Sequence, residues 1–326
     1  MEFRYVFGPV ASRRLGRSLG VDLLGEKICT LDCLYCEVGA TRRCTLERAP
    51  YVPAVDILAE LETWKSASHP PLDIVTLGGS GEPCLNSELG AVLTGCRELF
   101  PGIALGVLTN STLLYDPGVR EELCLADVVL PSMDTLVPAE FQRLNRPHAH
   151  ISQAGELERM ARSLLEFRRM FQGRVFLEIL LCHGINDSAE NLERMQEYVR
   201  ELQPQRVDVT TMSRPGAHPE AGAVSTEVLA QWQRAMDAQL DVPAMEATRP
   251  SQVGDMDAAE RPAEELVHEI VASLKRRGQT PSQLSTALGV PARAVDKVLA
   301  HLLEQGLVGK EGGAGEETGG EEFYKA

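Results

Sequence analysis

Six short apolar runs, rich in Val, Ile and Leu and separated by longer helical stretches, constrain the fold of this chain most strongly. Such runs are typical of parallel strands that are covered by helices. The predicted strands are residues 19–24, 73–77, 103–109, 127–130, 174–181 and 206–211. The predicted helices are residues 55–65, 87–99, 152–171, 189–202 and 226–240. The sequence therefore predicts an α/β fold whose six β/α units form an open or partial barrel.

Residues suited to binding and catalysis follow four of these strands at their carboxyl ends, where sites lie in such folds. A cysteine-rich loop follows the first strand, and a glycine-rich stretch at residues 78–83 follows the second. Asn110 and Ser111 follow the third strand, and residues 131–134 follow the fourth. Because four such segments occur in register, we expect one shared site at this edge of the sheet.

Three cysteines, Cys29, Cys33 and Cys36, form a C-x-x-x-C-x-x-C pattern, and Tyr35 directly precedes the last of them. Thiolates at this spacing can bind three irons of one 4Fe–4S cluster and leave a fourth iron open to a small molecule. Tyr35 favours this interpretation, because an aromatic ring there can stack on an adenine. Two alternatives stay open: buried structural cysteines, and a zinc site or closed four-thiolate cluster that recruits Cys44.

The glycine-rich stretch (GGSGEP, residues 78–83) allows backbone groups to approach a ligand closely. It has neither the G-x-G-x-x-G pattern of dinucleotide-binding proteins nor the Gly-Lys-Ser/Thr of a P-loop. Glu82, behind the glycines, is a candidate acceptor for an ammonium group. The alternative is a tight turn in which Glu82 interacts with the start of a helix.

The 326-residue chain carries a formal net charge of −15, which argues against charge-driven binding to nucleic acid or an anionic membrane. There is no secretory h-region and no run of about 18 apolar residues. We therefore expect a cytoplasmic protein without a membrane span. Five arginines beside the cysteine segment are either solvated loop charge or a cationic rim for an anionic substrate or a cofactor carboxylate. These are Arg13, Arg14, Arg17, Arg42 and Arg43.

The last quarter of the chain predicts a separate module. Residues 242–263 are irregular and rich in Pro, Met and Asp, which is typical of a linker between domains 1–241 and 264–326. Three amphipathic helices at 264–277, 280–288 and 292–305, followed by a hairpin, indicate a small winged-helix domain. Its predicted wing is acidic, so DNA binding is not expected and a protein-contact or substrate-presenting role is favoured. The acidic residues are Glu311, Glu316, Glu317, Glu321 and Glu322.

The cysteine triplet with Tyr35, the Gly-Glu-Pro motif and the six-unit β/α pattern resemble the radical S-adenosylmethionine (radical SAM) enzyme superfamily. Three further segments resemble a subfamily related to the enzymes that form the tricyclic wyosine base in tRNA. These segments are residues 7–22, 144–148 (LNRPH) and 184–187 (GIND). The triplet and the Gly-Glu-Pro motif are the most specific part of the likeness.

This resemblance implies a partial (β/α)6 TIM-like barrel of the radical SAM type, followed by the winged-helix module. Cys29, Cys33 and Cys36 would ligate a 4Fe–4S cluster, whose open iron binds the methionine amino and carboxylate groups of S-adenosylmethionine. Tyr35 would pack on the adenine of this cofactor. The amino end would be bound by Gly79, Gly81 and Glu82, and the ribose or carboxylate by Asn110 and Ser132.

The resemblance also implies an activity, in which the cofactor is cleaved to a 5′-deoxyadenosyl radical that takes a hydrogen atom from an unidentified protein, peptide or RNA substrate. The expected partner is a low-potential electron donor, flavodoxin or ferredoxin. Two alternatives stay open: a wyosine-like tRNA-modifying enzyme, and an iron–sulfur redox sensor that regulates transcription through the winged helix. Cys182 and His183, at the end of the fifth predicted strand, are further candidates for substrate contact.

Overall fold

The computed structural model describes residues 3–12, 14–67, 71–213, 216–240, 266–267, 270–271, 273–274, 278–288, 290–311 and 323–326. Its main sheet consists of β1 (Val6–Ser12), β2 (Gly16–Val21), β5 (Ile74–Leu77), β6 (Ala104–Thr109), β7 (Val128–Pro131), β8 (Arg174–Leu181) and β9 (Arg206–Thr211). Two short strands, β3 (Ile28–Cys29) and β4 (Arg43–Cys44), form a separate parallel pair.

The seven strands lie in the order β1-β2-β5-β6-β7-β8-β9, so β1 and β9 are the two edges of an open sheet. The strands from β2 to β9 pair in parallel, which confirms the predicted α/β fold with a parallel sheet. The first predicted strand, 19–24, is shifted and runs over Gly16–Val21. The edge strand β1 was not predicted and pairs antiparallel with β2. It contains Pro9, which has no N–H to donate and is tolerated on an edge strand.

Within the described residues, six α-helices lie between strands of the main sheet and a seventh follows β9. They are α1 (Ala54–Ser66), α2 (Leu89–Leu99), α3 (Pro117–Leu123), α4 (Pro138–Asn145), α5 (Glu156–Met170), α6 (Ala189–Leu202) and α7 (Thr226–Asp237). The short helices α3 and α4 were not predicted, and each begins with a proline, whose fixed φ suits the first helical position. Helix α4 ends at Arg146, which adopts a left-handed φ of 44°.

Side chains alternate between the two faces of the sheet, as the period of two in a strand requires. On β5, Val75 and Leu77 join the large core under the helices, whereas Ile74 joins a smaller cluster on the opposite face. Polar contacts then link the two ends of the open sheet. Arg14 from the β1–β2 turn donates to Glu178 on β8, and Arg206 on β9 donates to the Arg14 carbonyl at 3.3 Å.

The C-terminal region has a second, smaller core. It includes helices Pro281–Leu288 and Ala292–Glu304 and an antiparallel pair of strands, Gly309–Glu311 and Phe323–Lys325. The predicted linker, parts of the predicted helix at 264–277 and the tip of the predicted wing lie outside the described residues. The domain boundaries therefore stay predictions. None of the helices in the described ranges is long and apolar enough to cross a bilayer.

Candidate functional site

The three cysteines lie on the loop after β2, at the edge of the sheet where the parallel strands end. Cys29 is buried in β3, and Cys33 and Cys36 are half-buried. Burial raises the pKa of Cys29 to about 11 and the pKa of Cys33 well above its usual value. A metal that binds these thiols would displace their protons.

Each of these cysteine sulfurs lies within hydrogen-bond distance of one side-chain nitrogen. The distances are 3.4 Å from Asn110 Nδ2 to Cys29 Sγ, 3.4 Å from Asn145 Nδ2 to Cys33 Sγ, and 3.0 Å from Lys27 Nζ to Cys36 Sγ. Burial disfavours the charged form of Lys27, but its electrostatic interactions with Cys36 and Cys29 outweigh this effect and raise the Lys27 pKa. A cation therefore stands beside the third cysteine.

The LNRPH motif (residues 144–148) supports the backbone of the cysteine loop from one side. The Leu34 N–H donates to the Leu144 carbonyl at 2.9 Å, and the Asp32 N–H donates to the Asn145 carbonyl at 3.0 Å. The His148 N–H in turn donates to the Thr30 carbonyl at 2.9 Å. The LNRPH motif thus has a physical role in this chain, because it holds the loop that carries Cys33.

The loop after β9 supports the cysteine loop from the other side. The His218 N–H donates to the Leu34 carbonyl at 3.1 Å. Gly216 packs so closely that a Cβ there would lie 2.5 Å from the Leu34 carbonyl oxygen, so a side chain is excluded. His218 Nε2 also lies 3.2 Å from Asp32 Oδ2. Two segments far apart in sequence therefore clamp the same short loop.

The glycine-rich stretch approaches the cysteine loop from β5. A Cβ on Gly81 would lie only 1.7 Å from the Ile28 carbonyl oxygen, so only glycine allows this contact. A Cβ on Gly79 would lie 3.1 Å from the Asp22 side chain, and that carboxylate accepts a hydrogen bond from Ser80 Oγ. The glycines thus let the stretch lie directly against the segment that enters β3.

Glu82 is 1% exposed, and three donors of the chain hold its carboxylate. These donors are Thr109 Oγ1 at 2.8 Å, the Cys84 N–H at 3.1 Å and the Asn110 N–H at 2.6 Å. Burial raises the pKa of Glu82 in spite of these donors. Glu82 also begins the short helical turn Pro83–Leu85, which is the geometry of the alternative weighed above. Its binding of an ammonium group stays a prediction.

A pocket opens beside the cysteine loop and brings together Tyr35, Asn110 and Ser132, three of the predicted cofactor residues. Asp134 and Asn145 also line it. Much of the remaining wall is apolar and comes from Leu31, Met133, Phe141 and Met160. Gly79, Gly81 and Glu82 do not line this pocket, although Glu82 reaches its edge through the Asn110 N–H.

Asp134 is a buried carboxylate on the pocket wall, and burial raises its pKa. It accepts hydrogen bonds from the Tyr35 hydroxyl at 2.6 Å, from Asn145 Nδ2 at 2.9 Å and from the Leu180 N–H at 2.9 Å. Asn186 Nδ2 donates to the Asp134 carbonyl at 2.9 Å. The Tyr35 ring is therefore fixed in direction by its hydroxyl end.

Asn145 has the one buried side-chain oxygen or nitrogen atom, within the described ranges, that has no hydrogen-bond partner: its Oδ1. Leaving such an atom unpaired costs about 1–3 kcal/mol. A ligand that presents an N–H or O–H to the pocket would remove this cost. Together with three thiols that each face a donor, this atom shows that the residues fit a cysteine-bound cluster and a polar cofactor beside it.

Cys182, Cys44 and His183 have different surroundings. Cys182 is fully buried behind the cysteine loop, in a small cluster with Leu34, so it is part of the packing. Cys44 lies opposite Cys29 in the β3–β4 pair, but it is exposed and its Sγ faces the Thr30 carbonyl at 3.6 Å. His183 is exposed, and its Nδ1 lies 3.4 Å from Asp187 Oδ2.

The zinc alternative concerns a single metal ion. In the part of the chain that the structure describes, no group of three Cys, His, Asp or Glu residues is placed to hold one ion. A cluster does not require the three sulfurs to converge on one ion, because each thiolate binds a different iron.

Three residues of the site were not singled out as site residues from the sequence: Lys27, Asp134 and Asn145. Lys27 lies two positions before Cys29, and Asp134 lies in the segment after the fourth predicted strand. The sequence position of each residue could therefore have indicated that it lies near the site. Asn145 is 112 residues from Cys33, and nothing in its local sequence predicts that contact.

The fold and the site together define an α/β protein whose open parallel sheet carries a loop with three cysteines at its carboxyl edge. The family model of the radical SAM superfamily matches residues 27–208, a range that includes the cysteines, the glycine-rich stretch and the pocket. The chain belongs to the radical SAM superfamily. Its cofactors are a 4Fe–4S cluster and S-adenosylmethionine.

Several curated proteins are similar to this chain in sequence. A UPF0026 protein of Synechocystis sp. is 38% identical over 214 residues, which are 65% of this chain and 77% of the relative. A protein of Brachyspira hyodysenteriae named GTPase Obg is 30% identical over 316 residues, 95% of this chain. The matched part is only 44% of that relative, so this chain spans less than half of its length.

Solved structures include a radical SAM methyltransferase from Sphaerobacter thermophilus, with a TM-score of 0.48 and 20% identity. The likeness covers 70% of this chain and 65% of the methyltransferase chain.

Proposed function

We propose that this chain is a radical SAM enzyme that abstracts a hydrogen atom from a substrate. A reduced 4Fe–4S cluster held by the three cysteines would supply the electron for cleavage of S-adenosylmethionine to methionine and a 5′-deoxyadenosyl radical. The observation that carries the proposal is the position of Cys29, Cys33 and Cys36 beside a pocket that Tyr35 and Asn110 line.

In this proposal Cys29, Cys33 and Cys36 hold the cluster, and the residues around them orient the cofactor. The Tyr35 hydroxyl bonded to Asp134 fixes the ring, whose face is then available to an adenine. Asn110 and Ser132, on the ends of neighbouring strands, are proposed contacts of the ribose or the carboxylate. Gly79, Gly81 and Glu82 are proposed for the amino end.

The apolar wall of the pocket supports radical chemistry, because a reactive intermediate must be kept from water and from side reactions. Leu31, Met133, Phe141 and Met160 supply this wall. Access for an electron is proposed on the opposite side, beyond Cys36. Val38 is 46% exposed there, so the cluster would lie close to the surface and within reach of flavodoxin or ferredoxin.

Anaerobic reconstitution tests the activity. The protein is loaded with iron and sulfide, reduced with dithionite and incubated with S-adenosylmethionine, and the products are separated by mass spectrometry. We expect 5′-deoxyadenosine from the native chain and none from Cys33→Ala. An intact cluster that leaves the cofactor uncleaved, together with tight binding to an operator, would instead support the redox-sensor alternative.

The C-terminal region is proposed to be a winged-helix module that contacts a protein or presents a substrate. Support comes from its separate core and its two-stranded antiparallel pair. The acidic residues in the predicted wing and the overall charge of −15 make a nucleic-acid partner less favourable. A wyosine-like reaction on tRNA would be detected by comparing the tRNA nucleosides of a deletion strain with those of its parent. We propose a cytoplasmic location.

A further inference from the structure

Three side-chain nitrogens face the three cysteine sulfurs in a one-to-one arrangement. Asn110 comes from the end of β6, Asn145 from the end of α4, and Lys27 from the segment before β3. Three separate elements therefore each bring one N–H donor to a different sulfur. The LNRPH motif gains a second role, because one of its residues is among these donors.

The surroundings of Asn110 fix its direction. Its Oδ1 accepts hydrogen bonds from the Thr112 N–H at 3.1 Å and from Thr112 Oγ1 at 2.6 Å. Its Nδ2 donates to Thr30 Oγ1 at 2.8 Å as well as to Cys29. The amide can therefore not turn its oxygen towards the sulfur without losing these bonds.

Asn145 is held in the same way. Its Nδ2 also donates to Asp134 Oδ2 at 2.9 Å, so the nitrogen has to face the buried carboxylate and the Cys33 sulfur. Hydrogen bonds to other parts of the chain therefore orient both asparagine amides so that their N–H groups face the cysteine sulfurs.

Lys27 differs from the two amides because it carries a full charge. Its Nζ lies 3.0 Å from Cys36 Sγ, the shortest of the three donor–sulfur distances. Hydrogen bonds and positive charge at cysteine sulfurs stabilise the reduced, more negative state of a cluster and so raise its reduction potential. Among the three donors, Lys27 has the strongest electrostatic effect.

We propose that Lys27, Asn110 and Asn145 are positioning residues that together raise the reduction potential of the cluster, each by donating to one cysteine sulfur. Lys27 makes the largest contribution. This inference rests on the proposed ligation by Cys29, Cys33 and Cys36, and it adds what determines how easily the bound cluster takes up one electron.

The test is the midpoint potential of the reconstituted cluster, measured by a redox titration followed by electron paramagnetic resonance. Lys27→Met removes the charge and keeps the length of the side chain. We expect it to lower the reduction equilibrium constant about tenfold, which is about 59 mV for a one-electron couple. Lys27→Arg keeps the positive charge and should therefore keep most of the native midpoint potential. Lys65→Met serves as the matched control, because Lys65 Nζ binds the Leu99 carbonyl instead.

Asn145→Leu provides a second, independent variant, for which we expect a smaller shift in the same direction. If Lys27→Met binds no iron, Asn145→Leu still tests whether a donor to a cysteine sulfur raises the reduction potential. A native potential in iron-loaded Lys27→Met or Asn145→Leu would overturn the proposed role of the donor concerned. Iron content separates this result from failure of the proposed function: a native chain that takes up no cluster at all would contradict the ligation itself.

Discussion

At the scale of single residues, Glu82 shows what a buried carboxylate does in this site. It accepts hydrogen bonds from Thr109 Oγ1 and from the amides of Cys84 and Asn110. The carboxylate therefore joins the end of β5 to the end of β6, whatever ligand lies beyond it. Burial raises the pKa of Glu82, and these hydrogen bonds oppose that rise.

Glu82→Gln should destabilise the cluster-free protein. A carboxylate only accepts hydrogen bonds, whereas an amide nitrogen would place its own N–H groups against one of these donors. We expect the free energy of unfolding to fall by about 1–3 kcal/mol, measured by chemical denaturation. Glu62→Gln, an exposed change on α1, is the control. Unchanged stability of Glu82→Gln would show that the fold does not need the charge.

Cys44→Ala tests whether a fourth thiolate closes the cluster. Cys44 is exposed, and its sulfur faces the Thr30 carbonyl. We therefore expect Cys44→Ala to keep the iron content of the native protein after anaerobic reconstitution, whereas Cys33→Ala loses most of it. An equal loss in both variants would favour the closed four-thiolate cluster.

The sequence predicts those residues of the site that lie close together along the chain, but not the contacts made by residues far away in sequence. The spacing of Cys29, Cys33 and Cys36 sets their common loop directly, because all three lie within eight residues. Asn145 reaches Cys33 only because α4 ends in a left-handed residue and the chain then turns along the cysteine loop. Such a contact depends on packing between distant elements, which no local pattern encodes.

At the scale of elements, the parallel strands were predictable because they are apolar, short and separated by helical periods. Strand β1 was not, since its sequence, VFGPVAS, contains a glycine and a proline that normally interrupt strands. The helix predicted over 152–171 also begins later, at Glu156, because Gly155 has a φ of 85°. Local backbone geometry of this kind moves the boundaries without changing the order of the elements.

Gly81→Ala should disrupt the contact between the glycine-rich stretch and the cysteine loop. The added Cβ would lie 1.7 Å from the Ile28 carbonyl oxygen, and both partners are backbone, so the two segments must separate. We expect a loss of about 3 kcal/mol in the free energy of unfolding and reduced iron uptake. Gly222→Ala is a matched control, because a Cβ there meets nothing within 4 Å. Native iron uptake by Gly81→Ala would contradict the close approach.

Asp127 links α2 to the start of β6 and gives a pH-dependent contribution to stability. Burial opposes its charge, but the Arg97 guanidinium and the Leu105 N–H outweigh it and lower the pKa of Asp127. A carboxyl whose folded pKa is lowered stabilises the protein above its unfolded pKa, and this stabilisation is lost as the pH falls through the folded pKa. The pH window therefore lies below about pH 4.

Asp127→Asn should therefore be less stable than the native chain at pH 7, and the difference should shrink below about pH 4. Thermal unfolding across this pH range measures it. A difference that stays constant down to pH 3 would mean that the charge of Asp127 does not act on stability.

At the scale of the whole molecule, the described residues include a large hydrophobic core under the helices of the main sheet and a smaller one in the C-terminal region. The described C-terminal elements have a core of their own, and the division into domains 1–241 and 264–326 stays a prediction. The predicted linker, 242–263, rests on composition alone, because its sequence shows no helical or strand periodicity.

The full chain should not bind duplex DNA at physiological salt. Its 47 acidic side chains outnumber its 32 Lys and Arg side chains, so the net charge of −15 opposes binding to phosphate groups. We expect no change in the fluorescence anisotropy of a labelled duplex, with or without the cluster. Binding that weakens steeply as salt is raised would support the regulator alternative and argue against a protein-contact role.

The clamping of the cysteine loop by the LNRPH motif and by the segment at Gly216 and His218 has a consequence for maturation. The amides of Asp32 and Leu34 are hydrogen-bonded to the motif through backbone carbonyls, so these bonds do not involve the cysteine sulfurs. We therefore expect the cysteine loop to be largely preorganised, so that the metal binds to a folded loop and does not have to drive its folding. Those two amides should exchange slowly with deuterium in the empty protein, and loading should change their protection little.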